Sequence, residues 1–142
     1  MSKILVTGAS GFIGSNLCKY LENYGHLVSR SDSVGDVDFL EDLRTADWKK
    51  IGLEKYDGVV HLGAKISVPE SFAKPNLYQE VNVEATRRLF LSCIEAGVPK
   101  IVFASSAAVY GEVEGGLMTI GQEGTSGSPY ATSKLMWEEI AK

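Results

Sequence analysis

The stretch Thr7-Gly8-Ala9-Ser10-Gly11-Phe12-Ile13-Gly14 constrains this chain most, because it follows the apolar run Ile4-Leu5-Val6 and leads straight into a helical pattern. Three glycines spaced three apart at a strand-to-helix turn mean that backbone, not side chain, approaches something closely. The unpaired N–H groups and partial positive charge of a helix N-terminus suit a phosphate, here the pyrophosphate of a dinucleotide. The same spacing also suits a tight turn with no ligand, so the rest of the chain has to decide.

Ile4, Leu5 and Val6 read as a central parallel strand buried on both faces. Ile13, Leu17, Leu21 and Tyr24 recur at helical spacing as far as Gly25. A second strand starts at Leu27-Val28 and ends at Asp32, an acidic residue 24 residues past the first glycine, where a spacing of roughly 20 is usual for a ribose contact. A carboxylate there is placed to accept from the hydroxyls of an adenosine ribose; a surface turn aspartate is the alternative. Val37 to Leu40 reads as a third strand, too close to the second for a helical crossover, so an extended connection is expected. Asp47 caps a brief helix through Trp48, Ile51 and Leu53, and Gly58 to Leu62 is a fourth strand that turns at Gly63-Ala64.

Pro75 and Asn76 open a long amphipathic helix whose apolar positions are Leu77, Val81, Ala85, Leu89, Phe90 and Ile94, closed by Gly97 and Pro99. Lys100 to Ser105 is the fifth strand, Glu112 to Gly127 a loop over the active face, and Ser128 the cap of a last helix, Pro129 to Lys142. The alternation predicts an α/β fold, a Rossmann-like doubly wound parallel sheet in one domain over residues 1–142. Gly8 to Gly14, Gly63-Ala64 and Ser105-Ser106 all fall at the carboxyl ends of strands, where such sheets bind ligands. That convergence favours the phosphate reading of the glycines.

The net charge of −4 and the scattered lysines and arginines argue against a nucleic-acid partner. No apolar run approaches membrane-spanning length, and Met1-Ser2-Lys3 enters a strand without a signal peptide, so a cytoplasmic location is expected. Cys18 and Cys93 read as reduced core residues, and His26 and His61 are too far apart to suggest a metal site.

Tyr130 and Lys134 lie four apart on the last helix, hence on one face. A free tyrosine ionises near about 10, too high for a base at neutral pH, but an ammonium neighbour and an oxidised nicotinamide ring both favour phenolate. A serine hydroxyl at the end of the fifth strand could hold the same substrate oxygen. A solvated helix face is the plain alternative.

These motifs together resemble the extended short-chain dehydrogenase/reductases, within them the NAD-dependent nucleotide-sugar epimerase/dehydratase family of the UDP-glucose 4-epimerase type. T-G-A-S-G-F-I-G matches its T-G-x-x-G-x-x-G, Asp42-Leu43 its adenine-contacting Asp-Leu, and His61-Leu62-Gly63-Ala64 its H-x-A-A turn. Asn82 to Thr86 matches N-V-x-G-T, while F-A-S-S-A-A-V-Y-G and P-Y-A-T-S-K bring the serine and the tyrosine/lysine pair. The resemblance implies that Tyr130 is the acid/base, that Lys134 binds the nicotinamide ribose, and that Ser106 holds the reacting sugar hydroxyl. It implies NAD contacts from Gly8, Gly11, Phe12, Ile13, Gly14, Asp32, Asp42, Leu43, Leu62, Gly63, Ala64, Asn82, Tyr130 and Lys134.

The reaction so implied passes through a bound keto sugar, with hydride leaving the sugar and returning to its other face. Ala107 and Ala108 stand where dehydratases of the family carry an acid, which favours an epimerase. The short connection between strands two and three resembles NADP-using epimerase/reductases, yet Asp32 would repel a ribose phosphate. The resemblance also implies a homodimer through the helices at 76–97 and 129–142. Family members are longer, so the sheet is expected to be incomplete on its C-terminal side, with a substrate-gripping domain missing from these residues. Without that remote binding energy, turnover by the isolated chain would suffer. A non-catalytic dinucleotide-binding module is the competing reading.

Overall fold

In a computed structural model of the chain, residues 1–111, 117–122 and 127–142 are described. Five strands, β1 (Lys3–Thr7), β2 (Leu27–Asp32), β3 (Phe39–Leu40), β4 (Gly58–His61) and β5 (Ile101–Phe103), form one sheet in the order β3-β2-β1-β4-β5. Every pair is parallel, which is the doubly wound arrangement that the alternation of apolar runs predicts. The chain grows outward from β1 in one direction, then restarts on its other side with β4. The switch point therefore lies between β1 and β4.

Leu5, Val6 and Val59 are fully or almost fully buried in the central strands. Val6 packs with Ala9 and Cys18, backed by Ile4, Leu21, Val28, Val60 and Leu62, so helix α1 (Phe12–Asn23) seals one face of the sheet. One row across the strands is polar. Ser31, Thr7 and His61 stand in register and are all buried, and Thr7 Oγ1 lies 2.6 Å from His61 Nδ1. The Gly63 N–H donates to the same Thr7 oxygen at 3.3 Å, tying the end of β1 to the turn after β4.

The connection from β2 to β3 contains no helix, as its length predicts. Six intervening residues suffice because β3 pairs only Phe39 with Ser31 and Leu40 with Asp32, so the chain returns by two residues rather than a whole strand. Three strands are shorter than expected, the fourth ending at His61 rather than Leu62. The third begins at Phe39 rather than Val37, and the fifth covers Ile101–Phe103 rather than Lys100 to Ser105. Most of the loop anticipated between Glu112 and Gly127 lies outside the described residues.

Contacts group the chain into two compact units, residues 1–64 with 88–104, and residues 65–87 with 105–142. The first holds the sheet, α1 and α2 (Trp48–Ile51), whose cap is the expected Asp47, accepting from the Lys50 N–H. The second holds α3 (Val68–Ala73), α4 (Pro75–Tyr78), a π-helical turn (Gln79–Glu84), a 3₁₀ turn (Ala107–Tyr110) and α6 (Pro129–Ile140). Helix α5 (Ala85–Glu95) continues from the π turn and is divided between the units after Arg87.

Candidate dinucleotide and Tyr-Lys sites

The three glycines of the opening turn differ in what demands them. Gly8 has φ +69°, and a Cβ there would lie 2.6 Å from the Gly63 nitrogen. At Gly14 a Cβ would lie 2.1 Å from the Gly8 carbonyl oxygen, so close packing of α1 on the turn requires glycine. Gly11 is demanded least of the three: its backbone is ordinary (φ −70°, ψ 170°), and a Cβ would meet only the Gly8 backbone oxygen, in a tight contact at 3.3 Å. It is the N-cap of α1 and leaves the helix without a side-chain cap, whereas Asp47, Ser67 and Ser128 cap α2, α3 and α6. Helix N–H groups left without a side-chain cap are the donors that suit an anion. Phe12 and Ile13, next along, are 88% and 62% exposed.

Asp32 holds this turn in place. Its Oδ2 accepts from the Ser10 N–H at 2.9 Å and its Oδ1 from the Ser33 N–H at 2.7 Å, while Ser10 Oγ donates to Val34 O at 2.6 Å. Asp42 caps its own turn by accepting from the Arg44 N–H, and its carboxylate pairs with the Arg44 guanidinium at 2.7 Å. The Leu43 side chain covers Gly63, where a Cβ would sit 3.0 Å from Leu43 Cδ1. Leu62, Gly63 and Ala64 are half-buried beyond the end of β4. The first unit thus brings together Gly8, Gly11, Phe12, Ile13, Gly14, Asp32, Leu43 and Gly63 around the switch point. Ser10 is not singled out by the sequence; only its place between two of the glycines hints at its role.

The second unit contains Asn82, Ser106, Tyr130 and Lys134. Ser106 caps the 3₁₀ turn, its Oγ accepting from the Ala108 N–H at 3.2 Å. That turn packs against α6, which carries Tyr130 and Lys134 one helical turn apart. Ser105 Oγ donates to Glu138 Oε1, anchoring the segment before Ser106 on the same helix. Tyr130 stands edge-on to Tyr78, with ring centroids 6.4 Å apart. Lys134 is only 3% exposed, its Nζ lies 3.3 Å from the centroid of the Trp137 ring, and burial pushes its amine down to about 7. The arrangement can hold a proton carrier on Tyr130 beside an amine whose charge is set by its surroundings.

Asn82 is fully buried inside the π turn, and its amide is engaged by protein groups. Oδ1 accepts from Lys65 N–H at 2.8 Å, and Nδ2 donates to Lys65 O at 2.9 Å and to Ser133 Oγ at 3.0 Å. Its backbone oxygen accepts from Trp137 Nε1. The side chain thus fixes the segment after Ala64 and the seat of α6. Ser133 and Trp137, which no sequence pattern marks, flank Lys134 at one and three residues' distance. An open groove of about 550 Å³ along this unit is lined by Phe72, Pro75, Gln79, Pro129 and Thr132 and reaches Ser133, but not Tyr130 or Lys134.

Residues 4–142 match the model of the NAD dependent epimerase/dehydratase family. The UDP-glucose 4-epimerase of Neisseria meningitidis serogroup C is 36% identical over 160 residues, covering 99% of this chain and 47% of that protein. The structure of MoeE5 in complex with UDP-glucose and NAD superposes with a TM-score of 0.91 at 36% identity, over 98% of this chain and 48% of that one. The NAD complex of the Thermus thermophilus UDP-glucose 4-epimerase gives a TM-score of 0.86 at 34% identity, over 98% and 49%. The chain spans about half the length of the relatives it matches.

Proposed function

The chain belongs to the NAD dependent epimerase/dehydratase family, and on that premise we propose that it holds NAD on the Gly8–Gly14 turn and takes part in 4-epimerisation of a UDP-sugar. The observation that carries the reading is Gly11, a glycine that its own backbone conformation does not require, at the uncapped start of α1. Its missing side chain serves a partner outside the chain, and a pyrophosphate is the group that bare helix N–H donors suit. The carboxylate of Asp32 suits the adenosine ribose hydroxyls, and its charge favours NAD over a phosphorylated ribose.

When bound, NAD supplies a hydride acceptor that can return what it takes. Tyr130 receives the proton of the sugar C4 hydroxyl as the carbon loses hydride, so a C–O single bond becomes a keto group. The same residue gives the proton back when hydride returns to the opposite face. Lys134 would hold the nicotinamide ribose one turn from Tyr130, and its amine, pushed down to about 7 by burial, carries its charge on the acid side of neutrality. Ser106 holds the reacting oxygen. Ala107 and Ala108 offer no acid for elimination, which supports epimerase over dehydratase. Leu91, Ile94 and Met136, exposed on α5 and α6, support a homodimer through those helices. Among the described residues no helix is long and apolar enough to cross a membrane. Cys18 and Cys93 are free and buried, which supports a reducing, cytoplasmic setting.

The test has two arms. Calorimetry should show the chain binding NAD. UDP-glucose and UDP-galactose should interconvert in a version extended with the second half of a family member, and Tyr130→Phe should slow this by at least about a hundredfold. NAD binding with no Tyr130-dependent conversion of either sugar would favour a non-catalytic dinucleotide-binding module. Absence of NAD binding would sink both.

A further inference from the structure

The loop after β3 carries Asp42 and Leu43 yet has little secondary structure of its own. Its turn is closed by Thr45 and Ala46 N–H groups donating to Asp42 O, at 2.9 and 2.8 Å. Its start is tied to the end of β2, the Glu41 N–H donating to Asp32 O at 2.8 Å, and further on it is held by a guanidinium from far along the chain. Arg88 Nη2 donates to Leu43 O at 3.0 Å and also to Arg44 O. From Leu43 the contact runs on through its side chain to Gly63, and from Gly63 to Gly8.

We infer that Arg88 is a positioning residue for the adenosine half of the dinucleotide, bracing the Asp42–Arg44 loop so that Leu43 walls the switch point beside Gly8. The inference rests on the proposed NAD site. Arg88 does its work through two backbone carbonyls, so its effect passes through the shape of the loop. Charge is secondary, because a carbonyl pair needs a donor rather than a cation. The Arg44 guanidinium is taken up on the other side of the loop by the Asp42 carboxylate, at 2.7 Å. The loop is therefore pinned from both sides, by Arg88 on its carbonyls and by the Asp42–Arg44 pair within it.

The experiment compares wild type, Arg88→Ala and Arg88→Gln for binding of NAD, ADP and nicotinamide mononucleotide, and follows amide exchange at Thr45 and Ala46. Arg88→Ala should weaken NAD and ADP together by about tenfold, leave nicotinamide mononucleotide unchanged, and speed exchange at both amides. Arg88→Gln keeps an N–H donor and should recover much of the loss. Equal weakening of both half-ligands would mean a direct phosphate contact or general unfolding, and would overturn the inference. So would faster exchange without loss of ADP affinity. If wild type binds no NAD, the proposed site fails while the exchange data still judge the brace: unchanged protection at Thr45 and Ala46 in Arg88→Ala overturns it.

Discussion

Single residues of the glycine turn separate what folding needs from what binding needs. Gly11→Ser places a good N-cap on α1, worth a few tenths of a kcal/mol over glycine, against a Cβ contact of 3.3 Å with Gly8 O, so stability should change by less than about 1 kcal/mol. Its hydroxyl would take the N–H groups that a phosphate needs, so NAD affinity should fall at least about tenfold. Gly14→Ala should do the reverse of a neutral change, since its methyl would meet Gly8 O at 2.1 Å; a loss of about 1–3 kcal/mol is expected in denaturant titration. Lys134 gives a pH signature. Its amine titrates at about 7 in the folded chain, against 10.5 for an ordinary lysine. Between these pH values the unfolded chain binds more protons, so stability from this residue rises with pH. Lys134→Met should flatten that rise when unfolding is followed at pH 7, 8.5 and 10. Most residues of the candidate sites are legible in the sequence because their types are unusual at their spacing. Arg88 and Trp137 are not, since each acts on backbone carbonyls and no sequence pattern marks a carbonyl as a partner.

At the level of elements, strands and helices with strong periodicity are readable, and the departures have local causes. Helix α3 escapes a periodicity reading because it has only six residues and leaves Val68 and Phe72 exposed, so no apolar stripe announces it. Its start is nonetheless marked, with Ser67 accepting from the Glu70 N–H and proline in the first turn. The long amphipathic helix follows from its pattern, but its π turn does not. That turn buries Val81, Asn82 and Val83 in succession, a wider arc than the one-sided apolar stripe of a surface helix. Ile94, assigned to the apolar face, is 70% exposed, while Tyr78 and Cys93 are buried in its stead. The extra residue in the turn shifts the phase of the stripe. Asn82 is the consequence that matters, because it uses that irregularity to reach Lys65 and Ser133. Asn82→Ala takes the amide away from Lys65 N–H, Lys65 O and the buried Ser133 Oγ and should cost about 1–3 kcal/mol. Asn82→Asp would test the two Nδ2 bonds separately, retaining only the acceptor for Lys65 N–H, and thermal unfolding would read both.

The whole molecule is threaded so that its two compact units alternate along the chain, one taking residues 1–64 and 88–104, the other 65–87 and 105–142. The sheet is foreseeable from the order of apolar runs; this threading is not, because it depends on which distant segments pack together. A chain ending at Ala64 lacks β5, which pairs with the outer side of β4, and lacks Arg88. It should show no cooperative thermal transition, whereas a chain ending at Ala104 should regain one. The alternation also bears on how the protein is made. Synthesis runs from the N-terminus, so β1 to β4 leave the ribosome well before β5, with a segment of the other unit emerging between them. The sheet-bearing unit therefore waits, with one edge of β4 uncovered, until some forty further residues have been added. During that interval the uncovered β4 edge offers its unpaired N–H and C=O groups to any other extended chain it meets.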